Sequence, residues 1–387
     1  MTELLPGNRV ELLETGDEFF PALAAALDAA RRSAHLETYI YRNDRAGIGI
    51  AEALIRAASR GVRVRLLVDG FGSANLAAPL RQRLESAGVE VRVFRPERAG
   101  FRLRRDRLRR LHRKLCVVDD CVGFCGGINI QDDRDGDDGA APRFDFAVRV
   151  EGPAVADMVK AQWRLWRLVG WATGRLPADP VSPVLVRRPM GDGVRAAFLV
   201  RDNLRYRSNI EDAYLAAIDG ARSEIILCHA YFLPGLRFRR ALRDAADRGV
   251  RVRLLLQGKS EHRWMHHAMR ALYGSMVGAG IEIHDYQAAW LHAKVGVVDR
   301  TWATVGSSNL DPFSLLLARE GNVVIVDEGF AARLRRSLEQ AIDQRATAVL
   351  PEAWARRPLV ERLLSWMAYG TARFALGVAR ARWGQFL

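Results

Sequence analysis

The 387-residue chain predicts an α/β fold laid out as two tandem domains related by pseudo-twofold symmetry, and three observations lead there. A long segment repeats in order, strand-like and helix-like patterns alternate, and a proline-rich stretch parts the two copies. The repeat decides most. Arg60-Gly-Val-Arg-Val-Arg-Leu-Leu-Val-Asp69 returns as Arg248-Gly-Val-Arg-Val-Arg-Leu-Leu-Leu-Gln257, and Ala87-Gly-Val-Glu-Val91 as Ala279-Gly-Ile-Glu-Ile283.

Within the first copy, apolar periodicity predicts a strand over 10–13, a helix over 18–32 and a strand over 34–41. A helix over 48–59, a β-branched strand over 62–68, a helix over 78–87 and a strand over 89–94 follow. The second copy repeats this through a strand at 225–231, a helix at 235–248 and strands at 250–256 and 281–286. Between the copies, Pro177, Pro180, Pro183 and Pro189 break any periodicity. The expected layout is a first domain at 1–175, a linker at 176–193, a second domain at 194–345 and an amphipathic C-terminal tail at 346–387.

A hydrophobic content of 49% with 27% charged residues suits a folded protein with a sizeable core. Lys and Arg outnumber Asp and Glu by 59 to 45, a net charge of +14 that favours an anionic partner, either nucleic acid or an acidic membrane surface. Almost all of the positive charge is arginine. The chain has only Lys114, Lys160, Lys259 and Lys294, and two of these lie in a repeated motif where a compact cation is wanted. Cys116, Cys121, Cys125 and Cys228 lack a Cys-x-x-Cys zinc spacing and are expected as buried free thiols, which suits a reducing compartment. No basic-then-apolar leader opens the sequence, and no run approaches the roughly 18 apolar residues of a membrane span, so the expected location is inside the cell. The acidic run at 132–139 reads as a solvated loop, with a calcium-type oxygen site as the alternative; it lacks EF-hand spacing and a closing Glu.

Chemistry concentrates in a second repeat, His112-Arg-Lys114-Leu-Cys-Val-Val-Asp119 and His292-Ala-Lys294-Val-Gly-Val-Val-Asp299. Each copy runs into a glycine or serine turn and then Asn129 or Asn309. In a strand, residues two apart share a face, so His and Lys project together. Two such half-sites suit a phosphodiester. One imidazole attacks phosphorus, the other protonates the leaving oxygen, and lysines and asparagines stabilise the non-bridging oxygens. Metal ligation by the histidines is disfavoured, because a lysine on the same face repels a cation.

This doubled His-x-Lys-x4-Asp pattern resembles the phospholipase D superfamily, and within it the bacterial cardiolipin synthases. The likeness extends over Leu36-Glu-Thr-Tyr-Ile40, Asp69-Gly-Phe-Gly72, Gly126-Gly-Ile-Asn129, Val150-Glu-Gly-Pro153, Ala230-Tyr-Phe-Leu-Pro-Gly235 and Trp302-Ala-Thr-Val-Gly-Ser-Ser-Asn-Leu-Asp-Pro312. It implies two phospholipase-D-like domains sharing an active site at their interface, a covalent histidine intermediate, and neither cofactor nor catalytic metal. By the same likeness His112 is the nucleophile and His292 the general acid/base, roles that the symmetry lets exchange. Asp145 and Glu320, on later strands, are the candidate imidazole-orienting acids. Asp119 and Asp299 complete the motif and are expected to brace its turns. Gly127 departs from the serine common in the family, and Ala318 from an asparagine.

The resemblance implies phosphatidyl transfer from phosphatidylglycerol to a second lipid, giving cardiolipin. Hydrolysis of phospholipid or nucleic acid is the enzymatic alternative, and a basic membrane-binding protein the other. The Arg-rich approach over 98–113, with interleaved Phe101, Leu103 and Leu108, suits anionic head groups better than stacked bases. The tail over 359–387 reads as an interfacial helix, and equally as a helix packed on the core; the tryptophans 163, 166 and 171 divide the same way. The expected partners are anionic phospholipids and a membrane surface, without obligatory nucleic acid, and the expected place is peripheral, on the cytoplasmic side of the cell membrane.

Overall fold

The computed structural model describes residues 3–74, 76, 78–96, 109–134, 141–175, 189, 191–202, 206–259, 263–311 and 318–381, with side chains of the last helix described to residue 374. Much of the Arg-rich approach, the second part of the acidic run and most of the expected linker lie outside the described residues.

The first half supplies strands β1 (Leu5–Glu14), β2 (Ser33–Thr38), β3 (Arg63–Asp69), β4 (Glu90–Phe94), β5 (Arg110–Leu111), β6 (Lys114–Val118), β7 (Val122–Gly126) and β8 (Phe146–Glu151). The second supplies β9 (Val194–Arg201), β10 (Glu224–His229), β11 (Arg251–Gln257), β12 (Glu282–Tyr286), β13 (Lys294–Val298), β14 (Trp302–Gly306), β15 (Ala318–Val326) and β16 (Ala346–Ala348). All join one sheet. From its centre outward the first half reads β1-β8-β7-β6-β2-β3-β4 and the second β9-β15-β14-β13-β10-β11-β12. The two series match strand for strand, and antiparallel pairing of β1 with β9 joins them. The pseudo-twofold relation read from the repeat is therefore present in the hydrogen bonding.

Helices fill the connections: α1 (Thr15–Ala29), α2 (Arg45–Ser59), α3 (Ala78–Ser86), α4 (Val155–Ala172), α5 (Asn209–Gly220), α6 (Leu236–Asp247), α7 (Arg263–Val277), α8 (Glu328–Arg345), α9 (Pro351–Ala355) and α10 (Leu359–Ala381). The repeated Arg-Gly-Val is a helix stop. Arg60 and Arg248 end α2 and α6, Gly61 and Gly249 take φ of +84° and +86°, and the valine leads into a parallel strand. Those strands, β3 and β11, are covered on both faces, which is why they read as Leu-Leu-Val and Leu-Leu-Leu rather than alternating. One apolar cluster draws α4 and α8 together with strands of both halves, including Leu115, Val117, Val295 and Val297. Separate clusters lie under α1 and α2 and under α5, α6 and α7.

The structure departs from expectation at the C-terminal end. The tail expected to begin at 346 opens with β16, which pairs with β12 and closes the second half's outer edge. Beyond it, α10 packs one face on the protein, as one reading of the tail expects, and leaves the other face exposed. Its small residues Ser365, Ala368 and Ala372 are buried against the α7 layer, while Leu359, Leu363, Trp366, Met367 and Phe374 face outward, the last 74% exposed. The tryptophans also divide. Trp166 is fully buried with the Arg92 guanidinium 4.0 Å from its ring centre, whereas Trp171 is 75% exposed. Cys121 is exposed, against expectation, because it sits in the turn after β6; the other three thiols are buried.

Candidate active site

β6 and β13 run antiparallel to β2 and β10, so their first residues lie at the carboxyl ends of the parallel strands, where open α/β sheets leave a crevice. His112 and His292 sit just ahead of those first residues. Each is pinned by the opposite half: the His112 amide donates to the Arg319 carbonyl (3.0 Å), and the His292 amide to the Phe144 carbonyl (2.9 Å). β5 pairs in parallel with the start of β15, and Phe144 bridges Leu291 in the same sense.

The next residue along each partner strand is the carboxylate. His112 Nδ1 lies 2.9 Å from Glu320 Oε1, and His292 Nδ1 lies 2.6 Å from Asp145 Oδ2. The acid that follows each motif in sequence therefore serves the other motif's histidine. Both lysines fold back on their own motif, Lys114 Nζ donating to the His112 carbonyl at 2.7 Å and Lys294 Nζ to that of His292. Lys294 also stands 3.9 Å from Asp145. A Nδ1–H held by a carboxylate leaves the Nε2 lone pair free, so the site carries two imidazoles with the same atom available.

Burial sets the charges. It pushes the His112 imidazole below its ordinary pKa against the pull of Glu320, and drives His292 to about 3, with Lys294 adding to the effect. It lowers Lys114 to about 7 and Lys294 to about 8. Burial works against the Glu320 and Asp145 carboxylates too, but the neighbouring histidines and lysines more than offset it and hold both below the usual range. The site thus holds two neutral imidazoles, two anions and two weakly held protons on lysine.

The asparagines flank this centre. Asn129 Oδ1 accepts from the Ile40 amide at 3.1 Å, while Asn309 Oδ1 is buried without a hydrogen-bond partner among the described residues. Asp119 and Asp299, grouped with the catalytic set on the motif, do not reach it. They close the far ends of β6 and β13, five residues and roughly 16 Å from the lysines at strand rise. There Asp119 accepts from the amides of Arg31, Arg32 and Ser33 and Asp299 from those of Arg222, Ser223 and Glu224, both at φ of 52°. The described part of the acidic run also braces loops: Asp133 accepts from the Gly16 amide, and Asp132 pairs with Arg45.

Four contributors were missed in the sequence. Ser307 donates to Glu320 Oε2, the carboxylate oxygen farther from His112 Nδ1. Tyr39 sets its ring edge-to-face on His112 at 4.9 Å, with Lys114 Nζ 5.4 Å from the ring centre. Asp69 accepts from the amides of Leu111, Phe71 and Gly72 and so fixes the segment entering His112. Arg113, between the motif's His and Lys, turns to the other face and pairs with buried Glu37. Tyr39, Asp69 and Ser307 lay within segments of the resemblance without being singled out, and Asp69 is also one of the two mismatches at the end of the long repeat, against Gln257. The Gly127 departure has a steric cause: a Cβ there would lie 2.2 Å from Asp145 Oδ1.

A family model described as "Cardiolipin synthase, PLD-like domain" matches residues 23–162 and 214–342, spanning both motifs. The chain is 40% identical over 336 residues to cardiolipin synthase B of Salmonella typhi, covering 87% of this chain and 81% of that protein. The chain belongs to the cardiolipin synthase family of the phospholipase D superfamily. Members at greater distance include cardiolipin synthase A of Pseudomonas putida (strain W619), 32% identical over 93% of this chain and 73% of that protein. The fold matches the crystal structure of phosphatidylserine synthase from Haemophilus influenzae Rd KW20 with a TM-score of 0.74 at 14% identity, covering 98% and 96% of the two chains. As a family member the chain is an enzyme of the phospholipase D superfamily.

Proposed function

We propose that this enzyme makes cardiolipin from phosphatidylglycerol by transferring a phosphatidyl group through a covalent phosphatidyl-histidine. The observation that carries the reading is the crossed pair His112–Glu320 and His292–Asp145, which leaves an Nε2 atom available on each imidazole, as an attack by one and a proton transfer by the other require. His112 Nε2 attacks phosphorus. The P–O bond to the glycerol leaving group breaks as that oxygen takes a proton from His292 Nε2, which the substrate's negative charge helps to protonate. A second lipid's hydroxyl then gives its proton to His292 and its oxygen to phosphorus, and the P–N bond to His112 breaks. Lys114, Lys294 and the two asparagines hold the non-bridging oxygens.

The outer face of α10 supports membrane contact. Large apolar residues cover its outer face, Arg362 and Arg373 stand beside them, and the net charge is +14. That combination favours an anionic lipid interface, while no described helix is long and apolar enough to cross a membrane. The Tyr369 hydroxyl lies 3.3 Å from Arg239 in the first turn of α6, so the helix reaches the end of the sheet that carries the site. We place the enzyme peripherally on the cytoplasmic side of the cell membrane, with phosphatidylglycerol as substrate. Product analysis with phosphatidylglycerol labelled in its acyl chains tests this. A diphosphatidyl product is expected; phosphatidic acid alone would replace transfer by hydrolysis.

A further inference from the structure

Between α4 and β9 lies a cavity of about 490 Å³. Its polar wall carries Lys160 and Arg164, four residues apart on α4, with Arg201 of β9 and Arg319 of β15. Asp157, Asp202 and Glu3 share the lining, so with Arg113 the cations outnumber the acids by five to three, and Arg113 is already engaged by Glu37. The lining also has an apolar part, from Leu165 and Leu168 further along α4 and Phe198 of β9. Neither Lys160, one of four lysines in the chain, nor Arg164 has a part in the chemistry above.

Charge and shape together describe an amphiphilic anion. Arg201 is 2% exposed and burial pulls its guanidinium down to about 10; burial and the adjacent Arg113 lower Arg319 as well. Arg201 is already faced by Glu320 and Asp311, whereas Arg319, desolvated beside Arg113, gains from an added anion together with Lys160 and Arg164. The apolar lining adds a surface that a free inorganic ion leaves unused. We infer that the cavity is a second, non-reacting site for one anionic phospholipid, with its phosphate towards Lys160, Arg164 and Arg319 and its apolar part along Leu165, Leu168 and Phe198. The inference rests on the reading of the enzyme as one that handles anionic phospholipids. It also supplies a route to regulation, because the Arg319 carbonyl holds the His112 amide and Glu320 follows directly.

The test is a calorimetric titration of the full-length His112→Ala protein, which cannot turn over, with dihexanoyl phosphatidylglycerol below its micelle threshold. Two equivalents are expected. With Lys160→Glu and Arg164→Glu added, one equivalent remains and the other weakens at least tenfold, the surviving catalytic-site equivalent reporting that the protein is folded. One equivalent in the parent, or two in the charge-reversed protein, overturns the proposal. Inorganic phosphate is expected to bind the cavity at least tenfold more weakly than the lipid, and equal affinity would remove the lipid assignment. These readouts count bound ligand and do not depend on whether the active enzyme yields cardiolipin.

Discussion

The two histidines occupy equivalent places on matched strands, yet their surroundings differ in three ways. His112 has the longer acid, Glu320, steadied by Ser307, and an aromatic ring against it. His292 has the shorter acid, Asp145, faced by Gly127, with Ala230 where the repeat places Tyr39. The acid and its neighbour change together. Glutamate reaches its imidazole from far enough away to leave room for a serine hydroxyl, whereas aspartate brings its carboxylate onto the space a side chain at 127 would need. Duplication therefore copied the frame, and the site was refitted on each side by paired changes.

Removing either imidazole breaks the comparison most severely. His112→Ala and His292→Ala are each expected to lower kcat by at least ~10³, since each withdraws a group that shares in bond making or proton transfer. They should differ in what they trap. Phosphorus-labelled phosphatidylglycerol should leave label on the His292→Ala protein and none on His112→Ala; label on His292 in the latter would exchange the roles.

The lysines come next, with losses of ~10²–10³ expected for Lys114→Met, in line with a lost oxyanion contact. The same variant should be more stable. Unfolded Lys114 keeps its proton up to about 10.5 and folded Lys114 only up to about 7. Between those values the unfolded chain binds more protons, so wild-type stability rises with pH there, and the full burial cost applies below pH 7. The gain in Tm from Lys114→Met should accordingly be largest near pH 6 and shrink by pH 9. In the wild type kcat/KM should fall as pH rises through about 7 to 8, where an ordinary lysine does not titrate.

Smaller effects sharpen the acid-and-neighbour argument. Gly127→Ser should displace Asp145 and lower kcat by ~10–100-fold, with partial recovery when Asp145→Glu is added to reproduce the His112 arrangement; no recovery would break the pairing of the two positions. Ser307→Gly removes one hydrogen bond to Glu320 and should cost about fivefold, near 1 kcal/mol. Least affected in turnover is Asp119→Asn. It should lower Tm by ~2–4 °C through the amides of Arg31, Arg32 and Ser33 while leaving kcat unchanged.

What was legible in the sequence is what repeats locally. The strands at 62–68 and 250–256, their helix stops and both His-x-Lys pairs follow from short-range pattern. The crossing of Asp145 to His292 and of Glu320 to His112 does not, because the sequence places each acid behind the wrong motif and only docking of β5 on β15 and of Phe144 on Leu291 reveals the exchange. Nor was β16 visible, three residues whose only cue is the edge they complete. For α10 the apolar count was plain, but which face turned inward depended on small side chains meeting α7, a choice that periodicity leaves undecided. Asp119 and Asp299 read as braces of the motif turns, and they accept loop amides there, since five residues of strand carry them away from the lysines.

Because every imidazole borrows its carboxylate from the other half, competence arrives only when the whole chain has been made and docked. A ribosome that has released the first motif has exposed a histidine whose partner, Glu320, is still some two hundred residues away. Such an intermediate holds an imidazole with no carboxylate to fix its tautomer. Crossed wiring thus acts as an assembly check, in which a half-built site is an incomplete one.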